Sequence, residues 1–439
     1  MAKKPSSVEI RGYQVGFGDC FLVSFVYSED DKRHVLIDFG TTELPKHLEK
    51  ASLHMPRIAE HIRKVCNGKL TAVVATHRHA DHISGFATDS KSGGSGSIIA
   101  ECKPKVVLQP WTEDPEAAKD ATTATRDSSR SSKSFIAGLN AMHRIAEHAW
   151  RVARRPPSSM SADAAKQLRF LGMDNIKNRS AVENLIAMGS RPGAKAVWAH
   201  HGSNSGLVGK SVLEGVKVHV LGPPSLEQTE KIRKMRSSDP DQFWQLLGGK
   251  GLSGLKIASI EPGSRRAHGK RVPAEARWFR DRVARLSADQ LLEIVRVLDD
   301  QMNNTSLILL FEVGRKKLLF PGDAQIENWS WALADAPDAR KTRDLLAGVD
   351  FYKVGHHGSR NATPKTLLWE NFAKRGLGSQ RMKTALSTLK GKHGNTKKKT
   401  EVPRKTLLDA LESETELRST EGYKFKDNED PCYVIPIKP

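Results

Sequence analysis

The segment Thr76-His77-Arg78-His79-Ala80-Asp81-His82-Ile83-Ser84-Gly85 places three histidines and an aspartate within six residues. It follows LTAVVAT (residues 70–76), a short continuous apolar run that predicts a strand buried on both faces. The four side chains therefore sit on a loop at a strand end, where imidazoles and a carboxylate can converge. Imidazole suits zinc, iron and nickel, and the carboxylate widens the choice toward manganese. The alternate spacing of these side chains separates them onto two neighbouring ions. The bland alternative is a histidine-rich surface loop.

Two later segments end predicted strands with the same kinds of group. Phe320-Pro321-Gly322-Asp323 offers a carboxylate after a tight turn, placed to bridge two ions. Lys353-Val354-Gly355-His356-His357-Gly358-Ser359 offers paired histidines. Gly-Asp is a common turn and His-His pairs are often structural, but in this order after the first motif each becomes an expected ligand.

These groups need strands to hold them. Residues 8–40 read as three β-rich runs, expected to be antiparallel, separated by the turn Gly16–Asp19 and the polar hairpin SEDDKR. Helix spacing covers Met55 to Cys66 and Phe135 to Arg155, and capping patterns start helices near Ser180 and Ser287. The helix spacing makes His143 and His148 solvated or core residues rather than ligands. Further strands are predicted at residues 102–110, 196–200, 216–221, 306–312, 317–320, 349–354 and 384–388, with residues 313–316 as a hairpin turn. Strands at both ends with helices between them imply an α+β layered sandwich. It is read as one catalytic domain over residues 1–439, with helical insertions at about 113–190 and 225–300.

The series His77-x-His79-x-Asp81-His82, then Asp323, then His356, resembles the ligand series of the metallo-β-lactamase superfamily, an αββα sandwich with a di-metal site at one edge. Leu36-Ile37-Asp38-Phe39-Gly40 resembles its first motif, in which the aspartate orients the site. The resemblance implies two divalent ions, Zn²⁺ first and Mn²⁺ as the alternative, held by His77, His79, Asp81, His82, Asp323 and His356. It further implies catalytic roles for Asp81, Asp38 and His357, the last as an alternative ligand or a proton donor.

A narrower likeness is to the soluble hydrolase domain of ComEC-type DNA-uptake proteins and their stand-alone relatives. Val15-Gly16-Phe17-Gly18-Asp19 is similar to their VGQGD, Asn303-Asn304-Thr305-Ser306-Leu307 to their NNxSL, and Gly355-His356-His357-Gly358-Ser359 to their HHGS. This implies nuclease or phosphodiesterase activity, with Asp19, Asn304, Ser306 and Ser359 near the substrate. Two departures stand out. The superfamily's third-motif histidine is missing where Leu221-Gly222-Pro223-Pro224 stands, which leaves His200, His201, His219 or no ligand at all; and the relatives' Gly-His-Pro reads Glu401-Val402-Pro403.

The 439 residues carry 70 Lys+Arg against 50 Asp+Glu, a formal charge of +20, with a sequence pI near 9.7. Residues 265–285 hold eight Lys/Arg against two carboxylates, and residues 390–405 hold seven against one. Arg265, Arg266, Lys270, Arg271, Lys397, Lys398 and Lys399 are therefore expected to line a groove for a phosphate backbone, the bland reading being a solvated face. Trp278 and Phe279, inside the first cluster, fit core packing better than base stacking. The expected partner is nucleic acid, DNA ahead of RNA, and the helical insertions offer surface for a protein partner.

The four cysteines show no metal or disulfide spacing and read as buried small hydrophobes. No apolar run is long enough to span a membrane, and the first residues lack a signal-peptide core, so a cytoplasmic protein is expected. The leading expectation is a metal-dependent phosphodiesterase or nuclease. A hydrolase of small phosphoesters, cyclic nucleotides, lactones or thioesters is the second, and a nucleic-acid- or partner-binding module with a degenerate metal site is the third.

Overall fold

Residues Ser7–Tyr13 (β1), Cys20–Val26 (β2) and Lys32–Phe39 (β3) form an antiparallel meander, as expected from their alternating aromatic and β-branched residues. The computed structural model describes residues 3–48, 50–88, 94–114, 179–225, 227–229, 302–376, 378, 380–392, 401–425 and 429–438. After β3 the chain enters helix His54–Val65 (α1), whose buried Met55, Ile58, Ala59 and Ile62 recur at helical spacing. It returns parallel to β3 as Ala72–Val74 (β4). Helix Ser95–Glu101 (α2) leads to Val106–Pro110 (β5), and helix Arg179–Ser190 (α3) leads to Lys195–Ala199 (β6), each strand parallel to the one before it.

The second sheet begins with Val216–Gly222 (β7), Ile308–Val313 (β8) and Lys316–Phe320 (β9), again antiparallel. Val313 pairs with Lys316 across the expected two-residue turn, where Gly314 takes a φ of +59°. The short helix Ile326–Ser330 (α4) and helix Ala339–Ala347 (α5) precede Phe351–Lys353 (β10). Lys383–Leu386 (β11), helix Lys405–Glu414 (α6) and Glu416–Ser419 (β12) follow, with β9 to β12 parallel in turn. The last strand, Cys432–Ile437 (β13), crosses back to the first sheet beside β1. Among the described residues the sheet orders are β13-β1-β2-β3-β4-β5-β6 and β12-β11-β10-β9-β8-β7.

Strand alternation divides the core into layers. From β2, Phe21, Val23 and Phe25 enter the core between the sheets, where they meet Phe311, Phe320 and Phe351, while Cys20 and Leu22 join the layer against α1 to α3. From β8, Leu309, Phe311 and Val313 face the first sheet, and Ile308 and Leu310 join the outer layer with residues of α4, α5 and α6. The order is helices, sheet, sheet, helices: the αββα sandwich expected from the sequence.

The four cysteines are buried free thiols. Among the described residues no helix is long and apolar enough to cross a membrane. The expected helices over 135–155 and from Ser287, and most of both insertions, lie outside the described residues.

Candidate metal centre

The candidate side chains come from the carboxyl ends of four parallel strands, two in each sheet. β3 ends at Asp38, which adopts a left-handed backbone (φ +54°). β4 leads to Thr76 and His77, and the helical turn Ala80–Ile83 carries Asp81 and His82. β9 leads through Pro321 to Gly322 (φ +56°), where a Cβ would lie 2.8 Å from that of Thr76, and on to Asp323. β10 ends at Lys353 and enters the turn Gly355–Gly358, where His356 and His357 have φ of +45° and +51°. Left-handed backbone costs a non-glycine residue roughly 1–2 kcal/mol, and such strain gathers at functional sites.

Asp38 fixes the first loop. Its Oδ1 accepts the Thr76 N–H at 2.7 Å, and its Oδ2 accepts the Thr76 hydroxyl at 2.8 Å and His82 Nδ1 at 2.8 Å. That bond turns His82 Nε2 toward Asp323 Oδ2 at 3.1 Å, where it lacks hydrogen-bond alignment. His357 is held from both ring nitrogens, Nδ1 by the Ser387 carbonyl at 2.9 Å and Nε2 by Asp81 Oδ2 at 2.7 Å. Asp81, His82, Asp323 and His357, all buried, each offer one atom within 4.8 Å of the others. His77 Nε2 and His79 Nδ1 lie 2.9 Å apart, and the His77 ring centroid is 4.2 Å from that of His82.

His356 sits differently from its neighbour. Its backbone N–H donates to Asp323 Oδ1 at 3.0 Å, while its partly exposed ring has Nε2 4.0 Å from Asp323 Oδ2. The structure thus brings His357, rather than the expected ligand His356, into the converging group. The pattern His-His carries no sign of which ring turns inward; the two successive left-handed residues decide it.

The electrostatics are those of buried carboxylates facing imidazoles. Burial opposes ionisation of Asp323 and Asp81, yet His82 holds both well below the usual carboxylate range, assisted by Lys353, His356 and His357 at Asp323 and by His357 at Asp81. Burial likewise disfavours the His82 and His357 cations. Asp323, Asp81 and Asp38 nevertheless raise His82 well above its ordinary value, and Asp323, Asp81 and Asp19 raise His357. His77 is pushed well down, first by burial and then by His82 and His79.

Lys353 is a buried residue of the site that the motif reading quoted without giving it a role. Its ammonium is buried, pairs with Asp19, lies 3.5 Å from Asp323 Oδ1 and donates to the Gly322 carbonyl at 3.3 Å. Asp19 and Asp323 raise its pKa against the effect of burial. A lysine ending an otherwise apolar strand, three residues before the histidine pair, was the available signal.

Asp19 is buried and also tied to the metal loop, its N–H donating to the Asp81 carbonyl at 2.9 Å. Ser306 Oγ accepts the Asp323 N–H at 3.3 Å, the Asn304 carbonyl accepts Asn328 Nδ2 at 3.0 Å, and Ser359 Oγ donates to Asn361 Oδ1 at 3.1 Å. His201 has both ring nitrogens engaged, with the Leu221 carbonyl at 2.9 Å and Asp338 at 3.0 Å. His200 Nδ1 lies 3.0 Å from the His201 carbonyl, and His219 lies 4.0 Å from Glu312. Among the described residues, none of these three joins a converging group. Arg265, Arg266, Lys270, Arg271, Lys397, Lys398 and Lys399 lie outside the described residues.

The donor set suits a divalent ion. Asp81 Oδ1 and His82 Nε2 are buried without a hydrogen-bond partner, and imidazole with carboxylate is a ligand combination that zinc and manganese accept. This arrangement defines an αββα sandwich with a candidate metal site. Residues 13–88 match the family model of the metallo-beta-lactamase superfamily, a stretch containing Asp38, His77, His79, Asp81 and His82. The sandwich is the fold of that superfamily, and the match with the ligand cluster implies a metal-dependent hydrolase. No curated protein matches the chain.

Proposed function

We propose that the chain is a metal-dependent phosphodiesterase that hydrolyses nucleic-acid backbones. The observation that carries the hydrolase half is the buried convergence of Asp81, His82, Asp323 and His357 at the seam between the sheets. The substrate half rests on the ordered likeness to ComEC-type hydrolase domains and on the +20 charge, which favours a polyanion.

Asp81, His82, Asp323 and His357 would hold one ion, and His77 with His79 are the candidates for a second. When bound, such ions act as Lewis acids on a phosphoryl oxygen and lower the pKa of water toward neutrality. The protein's own part is positioning. Asp38 fixes the His82 tautomer by accepting a hydrogen bond from Nδ1–H, leaving Nε2 for the cluster, and Thr76 fixes Asp38 from its backbone and its hydroxyl. Lys353 works against the effect of burial at Asp19, whose pKa still lies above its ordinary value, and adds to His82 in holding Asp323 low. His356, partly exposed above Asp323, is the histidine placed to meet substrate. Asp19 serves from behind as the partner of Lys353 rather than by touching substrate.

The test is cleavage of end-labelled single- and double-stranded DNA and RNA with Zn²⁺, Mn²⁺ or Mg²⁺, alongside metal analysis of the purified chain, for wild type and Asp323→Ala. Metal-dependent cleavage that the variant loses is expected. A metal-loaded wild type that cleaves no polynucleotide but hydrolyses bis(4-nitrophenyl) phosphate would move the reading to small phosphodiesters. One that hydrolyses neither would leave a binding role.

A further inference from the structure

Next to the metal centre lies a second set of polar side chains that the hydrolytic reading does not use. Asn328 and Trp331 lie three residues apart on α4 and the wider helical turn Trp331–Asp335 that continues it, and Gln325, three residues before Asn328, caps the start of α4 with an extended backbone. Gln325 is 1% exposed and Asn328 0%. Gln325 Oε1, Asn328 Oδ1 and Trp331 Nε1 are buried atoms without a hydrogen-bond partner, and so are Asn303 Oδ1 and Nδ2. Buried polar atoms are nearly always bonded, and each one left alone costs about 1–3 kcal/mol. Five in one neighbourhood signify a site built for something else to complete.

The stripe is anchored to the centre. Asn328 Nδ2 donates to the Asn304 carbonyl, and the turn Asn303–Ser306 in turn sets Asp323 through the Ser306 hydroxyl. Gln325 stands two residues beyond Asp323. The unpartnered atoms are neutral and include both donors and acceptors, so they fit the edge of a heterocyclic base or sugar hydroxyls rather than a phosphate. Trp331 is only partly buried, with its ring edge-on to His201 at 5.9 Å, and offers an aromatic surface at the end of the row.

We propose that Gln325, Asn328, Trp331 and Asn303 form a subsite for the nucleoside next to the scissile phosphodiester. This deepens the phosphodiesterase reading and rests on it for its place in the reaction, but not for the binding itself.

Thymidine and adenosine would be titrated separately into the full chain in EDTA, followed by tryptophan fluorescence and saturation-transfer NMR, for wild type and Gln325→Met. Circular dichroism and urea unfolding would establish that the variant folds. Saturable binding of at least one nucleoside is expected, weakened about tenfold in the variant, since losing one buried hydrogen bond is worth roughly 1.4 kcal/mol. With metal restored, the KM for thymidine 5′-(4-nitrophenyl phosphate) should rise about tenfold relative to the KM for bis(4-nitrophenyl) phosphate. Wild type that binds neither nucleoside, or a variant that loses both esters equally, overturns the subsite and identifies the stripe as structural. Nucleoside binding with no phosphodiester hydrolysis under any metal sinks the phosphodiesterase reading and leaves the subsite standing. Hydrolysis of both esters without nucleoside binding does the reverse.

Discussion

Replacing Lys353 with methionine tests whether the buried cation holds the centre together. The side chain is 3% exposed, pairs with Asp19 and lies 3.5 Å from Asp323 Oδ1. With an effective dielectric of about 20, a charge pair at that separation is worth about 5 kcal/mol before desolvation. Removing one partner of a buried pair typically costs about 3–5 kcal/mol, because the carboxylate left behind is uncompensated. Every 1.4 kcal/mol is a tenfold change in the folding equilibrium, so Lys353→Met should lower it by about two to three and a half powers of ten. The measurement is urea unfolding in EDTA, followed by circular dichroism, for wild type, Lys353→Met, Asp19→Asn and the double variant. The double variant should be more stable than Lys353→Met alone, since it no longer buries an unpaired Asp19. A Lys353→Met protein within about 1 kcal/mol of wild type, or strictly additive losses, would refute the argument.

Asp38→Asn should lower metal affinity about 10–100-fold, measured by competition with a chromophoric chelator, because the bond that sets the His82 tautomer is altered while the ligand atoms stay in place. His34, buried beside Ser24, has its pKa pushed down to about 4, first by burial and then by Arg11 and Lys32. The folded protein therefore holds His34 neutral; the resulting stability is fully present above about pH 6.5 and is lost as the pH falls toward 4, about 3 kcal/mol in all. Urea unfolding at pH 7 and pH 4 should show the wild-type advantage over His34→Gln shrinking by that amount, and an unchanged difference would count against it. Gly40→Ala should disturb the centre without replacing a ligand, since the new Cβ would lie 2.5 Å from the backbone atoms Asp81 C and His82 N. A shifted metal-to-chain ratio in elemental analysis would register this.

Much of the architecture was legible because periodicity reports burial. The apolar run before His77 and the alternating β2 and β8 revealed a buried strand and two-faced sheets, and those strands carry the motif loops to their places. What escaped were properties of direction and partnership. Helices α5 and α6 carry apolar residues on one face but went unmarked, although Asp338 and Gly348 stand at the two ends of α5. The choice between His356 and His357 depends on two left-handed residues that nothing in a His-His pair announces. Lys353 looked like strand composition until its partner, Asp19, was placed against it from a loop more than three hundred residues earlier. The amide stripe was invisible because glutamine and asparagine in a short helix suggest solvent, and only tertiary packing buries them.

The centre straddles the two sheets: Asp38, His77, Asp81 and His82 hang from the first, Asp323, Lys353 and His357 from the second. The Asp81–His357 bond alone joins positions 276 apart. Neither sheet carries a working half. Contacts of such sequence separation form late and slowly, because the loop must close before they reward the chain. The centre is therefore a latch on the folding of the whole sandwich: a nascent or nicked chain can pair β1 to β6 and still lack both the site and the closing strand β13, and sliding the sheets apart abolishes the site while both remain intact.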